Sequence, residues 1–172
     1  MKKLNSLEIV LDFENKGAIL YMNLAKKTEN ILGKKLFYSL ALQEVEHAEK
    51  ADGIKSILAS GNNSDGFLPG KAGIVEKELK EFFNKAGKTL LKKGAENLSG
   101  YELAMKMERK GYKIYSGYYG ESKNKTEKEF FKQIIEQEKE HLDSISNVYS
   151  YLTKTGDWLQ EDESKTWSWM NL

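Results

Sequence analysis

An all-α bundle of four long helices, built as two antiparallel pairs, is the fold that three features of this 172-residue chain predict. The first is an internal repeat. Gln43 to His47 reads Gln-Glu-Val-Glu-His, and Gln137 to His141, 94 residues later, reads Gln-Glu-Lys-Glu-His. The same offset pairs Glu14 with Glu108, Gly17 with Gly111, Tyr21 with Tyr115, Phe37 with Phe131 and Leu58 with Leu152, with no slip in spacing. The second is apolar residues recurring every three or four positions through both copies, the stripe of a helix buried on one side. The third is a long connection between the copies, punctuated by glycine, asparagine and the only proline, Pro69.

The first helix is expected over residues about 6 to 29, with Ser6 as its N-cap and Leu7, Val10, Leu11, Ala18, Tyr21, Leu24 and Ala25 as its stripe. The second should run from about Lys34 to Ser60 on Leu36, Leu40, Val45, Ala48, Ile54 and Leu58, and stop at Gly61. The run from Gly61 to Gly66 then breaks the chain. Residues about 74 to 93 read as an additional helix on Leu79, Phe82, Phe83, Ala86, Leu90 and Leu91, so that 61–98 forms a crossover. Ser99 can cap a third main helix reaching about Gly120. Asn124 or Thr126 can start a fourth that runs to about Lys154 before Gly156. Each repeat is thus a pair of helices joined by a short turn (6–60 and 99–155), which makes each pair antiparallel, and a long crossover lets the second pair start at the far end. The tail, 156–172, holds Trp158, Trp167 and Trp169 and is expected to pack along the bundle or across a subunit interface.

The composition excludes several classes of function. A chain of this size can bury roughly two thirds of its unfolded surface around one core, so a single domain is expected. Charged residues are 31% of the sequence but nearly cancel to +1, and Arg109 is the only arginine, so no basic stripe suits nucleic acid. With no cysteine, disulfides, zinc ribbons and iron–sulfur clusters are ruled out. Glu8, Asp12 and Glu14 interrupt any signal-peptide core, and no apolar run could span a bilayer. A cytoplasmic protein without membrane contact is the expectation.

The chemistry lies in the repeat, which contains both histidines of the chain. Helical residues three apart share a face, so Glu44 with His47, and Glu138 with His141, can each present an oxygen and a nitrogen ligand inward. Glu14 and Glu108 on the other two helices complete four carboxylates and two imidazoles. About four negative charges in a bundle core require compensation, and two divalent metals supply it. Oxygen-rich ligation with some imidazole suits iron or manganese, with zinc as a further option. A lone Glu-x-x-His would be read as a surface pair; two copies with matched upstream glutamates reverse that reading. Glu46, Glu49, Glu136 and Glu140 point elsewhere and form a solvated face. Tyr21 and Tyr115 lie two turns beyond Glu14 and Glu108. They either hydrogen-bond a ligand carboxylate or are core tyrosines with hydroxyls satisfied elsewhere. Gly17 and Gly111 cost a helix roughly 1 kcal/mol each relative to alanine, and either leave room beside the metals for a small ligand or allow close helix packing.

These residues resemble the ferritin-like di-iron carboxylate superfamily over roughly residues 6 to 154, and within it the rubrerythrin-type di-iron domain. The resemblance implies Glu14 and Glu108 as terminal ligands, Glu44 and Glu138 as bridges, and His47 and His141 bound to one metal each. It implies two iron ions, reaction with hydrogen peroxide or dioxygen, and peroxide detoxification, with no catalytic residue beyond the ligands. Lacking the four-cysteine rubredoxin domain of typical rubrerythrins, the chain would draw electrons from a separate donor protein such as a rubredoxin. A homodimer is the expected assembly. Where the family pattern has a further glutamate one turn after the third-helix ligand, this chain has Gly111. Val45 stands where bacterioferritins place a haem-binding methionine, and ferritins proper lack the second Glu-x-x-His. A ferroxidase or iron-sequestering protein, and a non-catalytic metal-binding bundle, are the alternative readings.

Overall fold

A computed structural model describes residues 5–60 and 98–153. Over these residues the chain forms four helices: α1 (Ser6–Lys27), α2 (Ile31–Ser60), α3 (Leu98–Glu121) and α4 (Lys125–Thr153). The helix expected over 74–93, most of the crossover and the tryptophan tail lie outside the described residues.

The starts of α1, α2 and α4 are each set by a side chain that satisfies backbone N–H groups lacking a partner in the first turn. At α1 that residue is Asn5 and not Ser6. Asn5 Oδ1 accepts from the Glu8 N–H at 2.9 Å, and the Glu8 carboxylate accepts from the Asn5 N–H at 3.0 Å, forming a reciprocal capping box. Ser6 is left free for another role: it is fully buried and its hydroxyl donates to Glu127. α2 begins three residues before Lys34, because Asn30 Oδ1 accepts from the N–H groups of Leu32 and Gly33 at 2.9 and 3.1 Å. α4 begins in the same way, Asn124 Oδ1 accepting from the Glu127 N–H at 3.0 Å. Asn30 and Asn124 are 94 residues apart, so the repeat extends to the turns. Ser99 falls inside the first turn of α3 and does not precede it.

Turns of three residues (28–30 and 122–124) join α1 to α2 and α3 to α4, which forces each pair antiparallel. The pairs meet through α2 against α4 and α1 against α3. The order around the bundle is therefore α1, α2, α4, α3. The core interior contains Leu7, Val10, Phe13, Leu24, Leu36, Phe37, Leu40, Tyr101, Met107, Phe131, Ile145 and Val148, all essentially inaccessible. Burying each such side chain stabilises the fold by roughly 1.5–3 kcal/mol. Aromatic rings tie the pairs together: Phe37 lies 4.8 Å from Tyr101 between centroids, and Phe13 meets Tyr115 edge-on at 6.0 Å. Ile54 and Leu58 pack partly buried against this core, as expected. Val45 does not. One residue past Glu44, it is rotated about 100° away from the interior and is exposed.

Candidate metal centre

Midway along the bundle the apolar core gives way to six polar side chains. Glu14 on α1, Glu44 and His47 on α2, Glu108 on α3, and Glu138 and His141 on α4 are all at most 2% exposed. The structure brings together every ligand candidate read from the sequence. The neighbouring Glu46, Glu49, Glu136 and Glu140 face solvent.

The six side chains form two groups, each with ligand atoms within 4.8 Å of one another: Glu14, Glu44, His47 and Glu138, and Glu44, Glu108, Glu138 and His141. Glu44 and Glu138 belong to both. His47 Nδ1 lies 3.3 Å from Glu14 Oε2 and 3.6 Å from Glu138 Oε1. His141 Nδ1 lies 3.1 Å from Glu44 Oε1 and 3.6 Å from Glu108 Oε2. The two imidazoles stack nearly parallel, 5.4 Å apart between centroids. Two equivalent clusters sharing a pair of carboxylates follow directly from the repeat, since each half contributes one Glu and one Glu-x-x-His to a common centre.

The donor set fits cations. Both oxygens of Glu44, both of Glu138, Glu108 Oε2, His141 Nδ1 and His47 Nε2 are buried without a hydrogen-bond partner. An unpaired buried carboxylate is costly enough that a native core does not keep several without compensation. Most of these atoms converge on one another, which is the arrangement of ligand atoms around a shared positive charge. The local electrostatics of the metal-free site point the same way. Burial, and then the neighbouring Glu14, pushes Glu44 well above the usual carboxylate range; burial and Glu108 do the same to Glu138. Glu108 is pushed up to about 8, chiefly by burial. Glu14 also feels burial, but contacts with Glu44, His47 and Tyr115 outweigh it and hold its carboxyl below the usual value. Burial lowers His141, keeping it neutral and available as a ligand.

The tyrosines resolve in favour of hydrogen bonding, with a crossed pattern. Tyr21 on α1 donates to Glu108 on α3, and Tyr115 on α3 donates to Glu14 on α1. Each hydroxyl thus serves the other repeat's carboxylate and links the two helix pairs. Burial together with the Glu14 charge raises the Tyr115 phenol well above its usual value, so the proton stays on the hydroxyl that donates.

The glycines resolve differently from either sequence reading alone. A Cβ at Gly17 would lie 2.7 Å from Glu44 Oε2, and a Cβ at Gly111 would lie 2.8 Å from Glu138 Oε2. The room each glycine leaves is therefore taken by an oxygen of the two shared carboxylates. One contributor escaped the sequence reading. Gln43 Oε1 is 3.2 Å from His141 Nε2, across from α2 to α4, fixing the ring nitrogen that faces away from the carboxylates. The signal was present, because the repeated motif begins with glutamine in both copies. Its counterpart does not act alike, and His47 Nε2 has no partner.

A family model described as Rubrerythrin matches residues 5–149, which spans all four helices up to Tyr149 and all six buried side chains. No curated protein and no solved structure matches the chain.

Proposed function

The chain belongs to the rubrerythrin family, and from that premise we propose that it is a di-iron protein that reduces hydrogen peroxide with electrons from a separate donor protein. The observation that carries this reading is the set of six buried side chains whose unpartnered atoms converge in two groups sharing Glu44 and Glu138.

In this reading Glu14 and His47 would hold one metal and Glu108 and His141 the other, with Glu44 and Glu138, which belong to both groups, available to each. A pair of ferrous ions held there would supply the two electrons that, with two protons, take peroxide to two waters. The chain's own residues organise that exchange. Four carboxylates keep the site close to neutral with two divalent ions, and Tyr21 and Tyr115 fix the rotamers of Glu108 and Glu14 from outside. Gln43 orients His141 so that Nδ1 faces the centre. Burial on all four helices excludes bulk water and favours a small, neutral oxidant over a bulky organic substrate.

The test is anaerobic reduction of the iron-loaded protein followed by stopped-flow addition of peroxide. The oxidised absorption spectrum should return within seconds, with one peroxide consumed per chain. Two iron atoms per chain are expected, and His141→Ala should lower that number. A di-iron protein inert to peroxide and dioxygen would overturn the reading. Many irons per chain in a large assembly would replace it with iron storage.

A further inference from the structure

Aromatic rings run in contact from the metal centre to the surface of the protein. Tyr21, whose hydroxyl donates to Glu108, stacks on Phe37 at 6.0 Å between centroids. Phe37 lies 4.8 Å from Tyr101, and Tyr101 lies 6.4 Å from Tyr149. The first three rings are at most 1% exposed. Tyr149 is only partly buried, and its hydroxyl donates to the exposed carboxylate of Glu102 at 3.1 Å. The path thus joins a ligand carboxylate to a phenol that has its own proton acceptor at the surface.

The repeat supplies a comparison. Tyr21 and Phe37 recur as Tyr115 and Phe131, 6.4 Å apart, so both halves place a tyrosine on a ligand carboxylate with a phenylalanine beside it. Beyond that pair the halves diverge. Leu7 and Lys55 occupy the positions that match Tyr101 and Tyr149. From Phe131 the rings continue to Tyr118, 5.4 Å away, which is 6% exposed and whose hydroxyl is buried without a hydrogen-bond partner. That branch is closed, because a phenol gives up an electron readily only when its proton has somewhere to go. The Tyr21 branch is open at its outer end. Nor does Tyr101 serve only to fill the core. A Cβ at Gly33 would collide with its hydroxyl, so α2 forgoes a side chain in its first turn where Tyr101 brings an oxygen that phenylalanine would lack.

We propose that Tyr21, Phe37, Tyr101 and Tyr149 relay a single oxidising equivalent from the metal centre to the surface. The proposal rests on the peroxide-reducing reading above, and concerns a centre that holds one reducing equivalent instead of two. Peroxide, two electrons and two protons taken from solvent give two waters. The iron pair would supply one of those electrons and Tyr149 supplies the other. Its O–H bond breaks, the proton passes to Glu102, and a neutral phenoxyl radical remains. Tyr101 and Tyr21 pass the electron inward, while Phe37, a ring far harder to oxidise, only shortens the gap between them. A one-electron reductant in solution, such as ascorbate, then returns a hydrogen atom to the Tyr149 oxygen. Without the relay the missing electron would be drawn from His47, His141 or the buried Met107, whose methyl lies 3.2 Å from the Cβ position of Gly17, and the site would be damaged.

The test uses the full chain loaded with iron, poised anaerobically with one reducing equivalent per chain, mixed with one equivalent of peroxide and freeze-quenched. Electron paramagnetic resonance should show a tyrosyl radical, its lines narrowed when the protein carries ring-deuterated tyrosine. Ascorbate should quench it. Tyr149→Phe, and Tyr101→Phe, which removes only an oxygen, should each lower the ascorbate-quenchable signal at least tenfold while circular dichroism and iron content stay unchanged. Tyr118→Phe should leave the signal at its wild-type level. A parallel sample with two reducing equivalents separates the two claims. Reoxidation there, without a radical in the first sample, overturns the relay alone; a centre that stays reduced overturns the peroxide reading and the relay with it. A radical indifferent to Tyr149→Phe and Tyr101→Phe, or one lost equally in Tyr118→Phe, would also overturn the relay.

Discussion

At Gly17 the loss of a methyl group costs α1 helix propensity and returns space to a carboxylate. The two effects have opposite signs and can be separated. Gly17→Ala should gain up to about 1 kcal/mol of intrinsic helix stability. Its new Cβ would meet Glu44 Oε2 at 2.7 Å and the Met107 methyl at 3.2 Å, both ends of flexible side chains that can move away. The metal-free variant is therefore expected to unfold at the same temperature as wild type or slightly higher. Displacing Glu44 affects both clusters, so metal affinity should fall tenfold or more, measured by isothermal titration with ferrous or manganous ion. Unchanged affinity would mean that the carboxylate oxygen has no fixed position to lose. Gly111 offers a less clean test, because the ring of Phe13 stands 3.1 Å from its Cβ position and belongs to the core. Tyr115→Phe probes the crossed hydrogen bonds. It leaves Glu14 with one donor fewer, and a loss of 10- to 100-fold in metal affinity is expected. If metal binding were indifferent, the hydroxyl would serve only to satisfy itself.

At the scale of the helix, the ends of the elements are held by contacts remote from the metal centre. Glu127 is fully buried in the first turn of α4, eleven residues before Glu138. It accepts from the hydroxyls of Ser6, at the start of α1, and Ser122, in the preceding turn, the latter at 2.9 Å. Ser6→Ala removes one of two donors from a buried carboxylate, which should cost on the order of 1–3 kcal/mol. Thermal unfolding should show that loss while the metal content stays at wild type; a fall in metal content would mean that the two regions are coupled. This contact also marks where sequence reasoning reached its limit. The four helices and their pairing were legible because stripe spacing and the repeat are local patterns. The boundaries were legible only to within one to three residues, since Asn5, Asn30, Ser6 and Ser99 are all competent caps by type and only the chain path decides which one acts. The six buried ligand candidates were legible because duplication doubled each signal. Gln43 on His141 and Ser6 on Glu127 were not, because each joins residues 98 or 121 positions apart; for Tyr21 the bond to a ligand carboxylate was one of two readings, but Glu108 of the other repeat as its partner was not legible. Val45 was misread as core because an apolar residue beside a motif fits an inward stripe by composition while its angle points outward.

At the scale of the whole molecule, the centre is a cost to the fold without metal and a support with it, and pH should expose the difference. Glu108 is raised from 4.5 to about 8 in the metal-free protein, and burial drives Glu44 and Glu138 in the same direction. A group raised in the folded state contributes stability that is complete below its unfolded value and is lost as pH rises through the folded value. Two groups act in the opposite sense. Glu14 is held low, so its contribution is lost only in acid, and His141 is held low, so it penalises the folded state only below about 6.5. Between pH 6.5 and 8 those two are in the same charge state folded and unfolded, and the raised carboxylates alone determine the slope. Metal-free protein should therefore lose stability across that window, by about 1 kcal/mol per pH unit for each carboxylate still protonated. Metal ions replace those protons, so the loaded protein should keep its melting temperature there, and loading at pH 7 should release protons into a weakly buffered solution. Thermal unfolding at several pH values, with chelator and with two equivalents of metal, reads both curves. A metal-free melting temperature that does not fall between pH 6.5 and 8 would show that the carboxylates are already ionised without metal, and that some other positive charge holds the centre together.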